Sequence, residues 1–247
     1  MKIGLFIPCF IDLLYPQAGI ATWELLKSGG HHVDYPREQT CCGQPMANTG
    51  CEKDVRRLAH RFLKLFRDYD YVVSPSASCV VMVKEQYPAY LAGEPGFDHL
   101  SSHIFEICEF LHDVMPIRDQ NSSFPHRVGI HHSCHGHRML HLGSPSELRS
   151  KPFSKIHNLL SGVKGIEIVH LSREDECCGF GGTFSVNEPE LSVFMGNDRI
   201  RDHLAAGAEY ITGADYSCLM HMEAIIRREQ YPVKVIHAAE ILNASSI

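Results

Sequence analysis

The chain has 247 residues, 44% of them apolar and 21% charged, with a formal charge of −6. That is enough apolar material for one ordinary core or two small cores packed together, and it excludes a disordered chain. Lys and Arg are scattered rather than clustered, which leaves no electrostatic footprint for nucleic acid or an anionic membrane.

The apolar opening, Ile3 to Leu14, is broken by Pro8 and Asp12 and is too short to span a bilayer. It also lacks the basic start and small-residue cleavage site of a secretory signal. The expectation is a cytoplasmic protein with no transmembrane segment. Ten cysteines in that reducing setting point to metal binding or redox chemistry rather than a disulfide framework.

In chain order, the pattern predicts a strand at Lys2 to Pro8 and a helix from Pro16 to Ser28, with Pro at its start and Gly29-Gly30 past its end. A short strand follows at His32 to Tyr35. A second helix runs from Glu52 to Arg67, with Val55, Leu58, Ala59, Phe62, Leu65 and Phe66 at helical spacing, and leads to a strand at Tyr71 to Ser74. Ile104, Ile107, Cys108 and Leu111 form another helical stripe. Met115 to His126, with two prolines and the polar run Asp119-Gln120-Asn121-Ser122-Ser123, is read as a surface linker. The second half repeats the rhythm, with strands near Arg127 to His132, Ile166 to Leu171, Glu209 to Thr212 and Val233 to His237. Strands alternating with helices predict an α/β fold of two similar Rossmann-like halves with parallel sheets, related by internal duplication. The boundary is placed between modules 1–118 and 119–247.

The duplication is clearest in the cysteines. In the first half Cys9 follows the opening strand, the pair Cys41-Cys42 precedes Gly43, and Cys79 follows a strand ending at Ser74. In the second half Cys134 follows a strand, Cys177-Cys178 precedes Gly179, and Cys218 follows another strand. Strand-end loops are where α/β sheets place functional groups, so each set can converge at one sheet edge. Four thiolates suit an iron–sulfur cluster or a tetrahedral zinc site. Adjacent cysteines do not readily chelate one ion but can bind neighbouring atoms of a cluster, and the following glycine lets the backbone bend round it. The competing reading is that these are buried thiols acting as small apolar residues.

Cys51 and Cys108 have no counterpart in the other half and read as structural, although Cys51 lies near a helix start, where a thiolate is favoured. Histidines at 131, 132, 135, 137 and 141 flank Cys134, and His221 follows Cys218 by three positions. They can ligate metal, donate to sulfur or sit in the core; His132 and His221 are the candidate extra ligands.

At Ile7-Pro8-Cys9, Tyr15-Pro16-Gln17-Ala18-Gly19, Thr40-Cys41-Cys42-Gly43-Gln44-Pro45-Met46-Ala47-Asn48 and Glu176-Cys177-Cys178-Gly179-Phe180-Gly181-Gly182, the chain resembles the cysteine-rich (CCG) domain family. That family includes the cysteine-rich component of heterodisulfide reductase and iron–sulfur subunits of glycolate and glycerol-3-phosphate oxidation systems. The resemblance implies an iron–sulfur electron-transfer subunit, with one or two clusters of the 4Fe-4S type, in a multi-protein system oxidising L-lactate to pyruvate. Its implied partners are a ferredoxin-like iron–sulfur protein and a third lactate-utilisation subunit. The full family module ends in Cys-x-x-Cys and its five cysteines hold a non-cubane four-iron cluster. Here the last position is Met82 in one half and His221 in the other. The eight remaining cysteines, Cys9, Cys41, Cys42, Cys79, Cys134, Cys177, Cys178 and Cys218, leave open a cubane cluster, a cluster with histidine help, or zinc.

Two other functions stay in view: a non-catalytic zinc-binding scaffold for partner subunits, and a thiol-disulfide redox protein of the heterodisulfide reductase kind. No G-x-G-x-x-G or Walker A sequence follows a predicted strand, so the residues predict no nucleotide site.

Overall fold

A computed structural model describes residues 1–116 and 121–244. Four strands form the first sheet: β1 (Lys2–Leu5), β2 (His32–Asp34), β3 (Tyr71–Ser74) and β4 (Ile104–Glu106). A second sheet holds β5 (Arg127–Ile130), β6 (Glu167–Val169), β7 (Tyr210–Gly213) and β8 (Lys234–His237). Both are wholly parallel, in the orders β2-β1-β3-β4 and β6-β5-β7-β8. The central strands are apolar because helices cover both faces: Ile3, Leu5, Val72 and Val73 are buried in the first sheet, Val128, Ile130 and Ile211 in the second.

The expected α/β fold in two similar halves is therefore present. The helix Pro16–Ser28 and the strand Tyr71–Ser74 have the predicted bounds, and the helix Glu52–Phe66 buries Val55, Ala59, Phe62, Leu63 and Phe66 on one face. The stripe Ile104, Ile107, Cys108, Leu111 is not one helix. Ile104 belongs to β4, and a helix starts only at Ile107, where the Glu106 carboxylate accepts the Cys108 and Glu109 N–H groups at 2.7 and 3.2 Å. A strand running straight into a helix without a loop mimics helical spacing. The predicted module boundary at 118/119 lies outside the described residues. Within the expected linker, 121–126 is not free surface chain: Ser123 N–H donates to Ala244 O at 3.0 Å and Phe124 N–H to Lys164 O at 2.9 Å, tying the segment to the second half.

In each sheet the chain reverses direction of travel between the two central strands, leaving a crevice beyond their C-terminal ends. The two crevices meet. Ser76 and Asp215 form an antiparallel bridge, and Ala77 N–H donates to Ala214 O at 3.1 Å. Asp215, 1% exposed, caps its own helix Tyr216–Glu229 by accepting from Ser217 N–H at 3.2 Å and Ser217 Oγ at 2.8 Å. The same carboxylate accepts Ser78 N–H at 2.8 Å and Ser78 Oγ at 3.2 Å, so it also caps the helix Ala77–Val81 of the first half. Tyr15 stacks on Tyr216 at 4.1 Å between centroids and donates to Glu223 at 3.0 Å. One continuous apolar core runs through both halves.

Asp215→Ala leaves two helix-start N–H groups without their acceptor across this buried seam. It is expected to lower unfolding stability by about 2–4 kcal/mol in urea titration; a change within about 0.5 kcal/mol would show that the shared cap is not stabilising.

Acid should weaken the fold through His237. Its Nδ1 accepts Ala239 N–H at 3.1 Å to start the helix Ala238–Leu242, and full burial pushes its pKa down to about 4 from the usual 6.5. The unfolded chain takes up a proton as pH falls through about 6.5, and the folded one does so only near 4. Stability is thus complete above the higher value and falls between the two, by about 3 kcal/mol for this group alone. Comparing unfolding at about pH 7 and about pH 5 in the protein and in His237→Asn, which keeps a cap acceptor without titrating there, should show a shallower loss in the variant.

Candidate metal centre

Each crevice gathers the four cysteines of its half. Cys9 opens the helix Cys9–Leu14 directly after Pro8, just beyond the C-terminal end of β1. Cys79 lies in the helix that β3 feeds, its N–H donating to the Ser76 hydroxyl at 3.4 Å. Cys41-Cys42 arrive on the loop after β2. The sulfurs form one chain of contacts: Cys9 hydrogen-bonds Cys41, Cys41 hydrogen-bonds Cys42, and the Cys42 thiol reaches Cys79 at 3.4 Å. The second half repeats the order, with Cys134 on Cys177, Cys177 on Cys178, and Cys178 on Cys218. All ten cysteines are free thiols.

The glycine after each pair is required by its backbone. Gly43 and Gly179 have φ of +88° and +84°, in the left-handed region where a side chain is strained, and a Cβ on Gly179 would meet the Ser192 carbonyl oxygen at 2.7 Å. The resulting bend turns Gly43 N–H onto Cys41 Sγ and Gly179 N–H onto Cys177 Sγ, both at 3.3 Å. A π-helical turn adjoins the thiols in both halves, Met82–Gln86 and His135–Met139. Met82, where the family pattern has its last cysteine, is buried in the first of these.

The thiols divide into donors and acceptors. Hydrogen bonds from Cys42 and Cys9 hold the Cys41 thiol far below the ordinary range, and those from Cys134 and Cys178 do the same for Cys177. Their neighbours are pushed up: Cys9 and Cys134 by donating to that sulfur and by burial, and Cys42 and Cys178 by donating to it and by contact with Cys79 and Cys218. Within each set the first cysteine of the pair is thus the sulfur that ionises most readily. Only a cationic centre would let the remaining sulfurs ionise together, and an all-sulfur set fits a thiophilic metal or iron–sulfur cluster.

Of the histidines, His131 joins the sulfurs. Its ligand atoms and those of Cys178 and Cys218 lie within 4.8 Å of one another, and both its ring nitrogens are buried without a partner. His132 turns the other way, because neighbours on an extended segment point to opposite sides. It lines a cavity of about 360 Å³ with His137, His157 and Phe153, which no cysteine lines. His221 packs against Phe180 and places Nε2 3.2 Å from the Ser192 carbonyl. The alternation beyond β5 was the available signal for His131; its sense depends on which face the sulfurs occupy. Cys51 is exposed before the helix Glu52–Phe66 and Cys108 is buried in the core, and neither joins a set.

Two sulfur sets, each at the switch point of a parallel sheet, define a duplicated cysteine-rich fold that could hold a metal. The chain belongs to the cysteine-rich domain (CCG) family, whose model matches it twice, over residues 3–84 and 128–223. Each matched segment spans the first three strands of one sheet and one full cysteine set. The chain is 40% identical over 247 residues to Lactate utilization protein A of Oceanobacillus iheyensis, covering 98% of this chain and 97% of that one. It is 41% identical over 248 residues to the protein of the same name from Geobacillus kaustophilus, covering 99% of each. Among solved structures, glutamate racemase isoform RacE1 from Bacillus anthracis aligns over 98% of this chain and 78% of its own at TM-score 0.35 and 14% identity, too distant to bear on activity. No helix among the described residues is long and apolar enough to cross a membrane.

Metal uptake by the metal-free protein must displace protons from Cys9, Cys42, Cys134 and Cys178. Binding of zinc or ferrous ion in weak buffer should release protons, with affinity falling roughly tenfold per pH unit for each proton displaced. An affinity independent of pH between about 6 and 8 would argue against coordination by these thiols.

Proposed function

We propose that the chain is an iron–sulfur electron-transfer subunit of a multi-protein, cytoplasmic system oxidising L-lactate to pyruvate, partnered by a ferredoxin-like iron–sulfur protein and a third lactate-utilisation subunit. The observation that carries this reading is the pair of four-thiol sets converging on one seam. The name of the full-length relatives supports the lactate system. Cys9, Cys41, Cys42 and Cys79 would hold one centre of the 4Fe-4S type, and Cys134, Cys177, Cys178 and Cys218 the other, with His131 beside the second. Such a centre supplies one-electron transfer at a potential set by burial, charge and hydrogen bonds to sulfur.

The protein's own part is to hold and tune. Gly43 and Gly179 N–H groups stabilise charge on Cys41 and Cys177, and the buried Cys42, Cys79 and Cys178 shield the inner side from water. The sets are close enough for the loop after one pair to touch the other half, with Gln44 Nε2 3.4 Å from His135 Nε2. Cys9 is exposed and Cys41, Cys134 and Cys177 are half-buried, a short route to a docked redox partner.

Iron, acid-labile sulfide and zinc analysis with electron paramagnetic resonance on anaerobically prepared protein tests this reading. Iron and sulfide in matching amounts are expected, with Cys41→Ser and Cys177→Ser each losing one centre and Cys51→Ser losing none. Stoichiometric zinc with no visible absorbance would overturn it in favour of a structural scaffold.

A further inference from the structure

The two halves share a scaffold but not the floor beneath their cysteine pairs. Counting back three residues from Cys9 and from Cys134 sets Phe6 against His131. A Cβ on Gly43 would meet Leu58, and one on Gly179 would meet Met195, which sets the helix Glu52–Phe66 against Pro189–Ala205 and so Phe62 against Arg199 and Phe66 against His203. In the first half the three rings pack on one another, Phe6 on Phe62 at 4.8 Å and on Phe66 at 5.8 Å between centroids. In the second half the same positions carry an imidazole, a guanidinium and another imidazole, all at most 1% exposed.

Burying a guanidinium and two imidazoles where three phenyl rings serve is costly in desolvation, and the first half shows that the scaffold does not need it. Among the described residues, every buried basic side chain lies in the second half: His131, His132, His137, Arg199, His203 and His237. Arg199 donates to Asp202 at 3.1 Å and to the Arg173 carbonyl, while its Nε and Nη2 have no partner. Asp202 accepts Ser172 N–H and its hydroxyl at Oδ1, and the Arg173 N–H at Oδ2, the oxygen that takes Arg199. Burial lowers the Arg199 pKa from its usual value, while the carboxylates of Asp202 and Glu176 and then the Cys178 sulfur hold it up. A guanidinium keeps its charge in a protein interior.

Resting on the iron–sulfur reading above, we infer that Arg199 makes the second cysteine set the higher-potential of two unequal redox centres. A reduced cluster carries one more negative charge than an oxidised one, and a fixed buried cation beneath Cys177-Cys178 stabilises that form; the phenyl floor beneath Cys41-Cys42 does not. The second centre therefore fills with an electron before the first. The role is that of a potential-setting residue, acting through space rather than by ligation.

Potentiometric titration followed by electron paramagnetic resonance tests this on full chains holding one centre each. Cys41→Ser reports the second centre and Cys177→Ser the first. The expected result is a reduced-to-oxidised ratio at least tenfold larger at the second centre at any fixed potential, a separation of about 59 mV for a one-electron couple. Adding Arg199→Met to the Cys41→Ser chain should remove most of that difference, and Arg199→Lys, which keeps the charge, should restore it. Equal potentials, or a lower potential at the second centre, overturn the inference even if Arg199→Met does not fold, because that comparison leaves Arg199 in place. A second-centre potential unmoved by Arg199→Met at full iron content overturns it as well. Absence of iron from the unmodified protein overturns the functional reading and this inference with it, whereas iron with equal potentials overturns the inference alone.

Discussion

The carboxylate of Asp215 organises the molecule. It is buried between the two halves and would be costly there unless every oxygen found donors. It finds them by starting two helices at once, Tyr216–Glu229 through Ser217 and Ala77–Val81 through Ser78. Those helices carry Cys218 and Cys79, the last sulfurs of their sets. One buried charge thus fixes the two sheet ends face to face, and the stacked Tyr15 and Tyr216 rings and the bridge at Ser76 reinforce the same seam. Two similar halves, each built on a parallel sheet, become one body with both cysteine sets beside the join.

Duplication supplied two equivalent frames, and the contrast between them separates structure from function. What both halves keep is what the thiol geometry needs: a central strand leading to the first cysteine, a left-handed glycine after the pair, and a capped helix bearing the last sulfur. What differs is the layer under the pair, aromatic in one half and basic in the other. Packing alone is satisfied by the rings of Phe6, Phe62 and Phe66, so the buried guanidinium of Arg199 is not there to fill space.

Much of this was legible in the sequence where a signal is local. Pro16 and Gly29-Gly30 bracket a helix because one cannot donate within it and the other ends it cheaply, and Tyr71–Ser74 reads as a strand because a central parallel strand is apolar on both faces. The eight thiols could be grouped because the order of single cysteine, pair and single cysteine recurs after the same kinds of element. A signal that mixes two elements failed: Ile104 and Ile107 have helical spacing across a strand–helix junction. In the polar run at 121–123, Ser123 N–H is tied to Ala244 O.

The sequence by itself determined the inventory of soft ligands, their duplication, the glycines that let the backbone turn beneath them, and the α/β frame, because each is written in residue identity or in a period of a few residues. Only the tertiary structure decided that His131 rather than His132 meets the sulfurs, that both cysteine sets share one seam, and that Arg199 lies beneath one of them. The physical reason is range. Periodicity records how an element meets its immediate surroundings, whereas the Asp215 contact to Ser78 joins residues 137 positions apart, and pairings at that distance leave no local trace in the pattern of either partner.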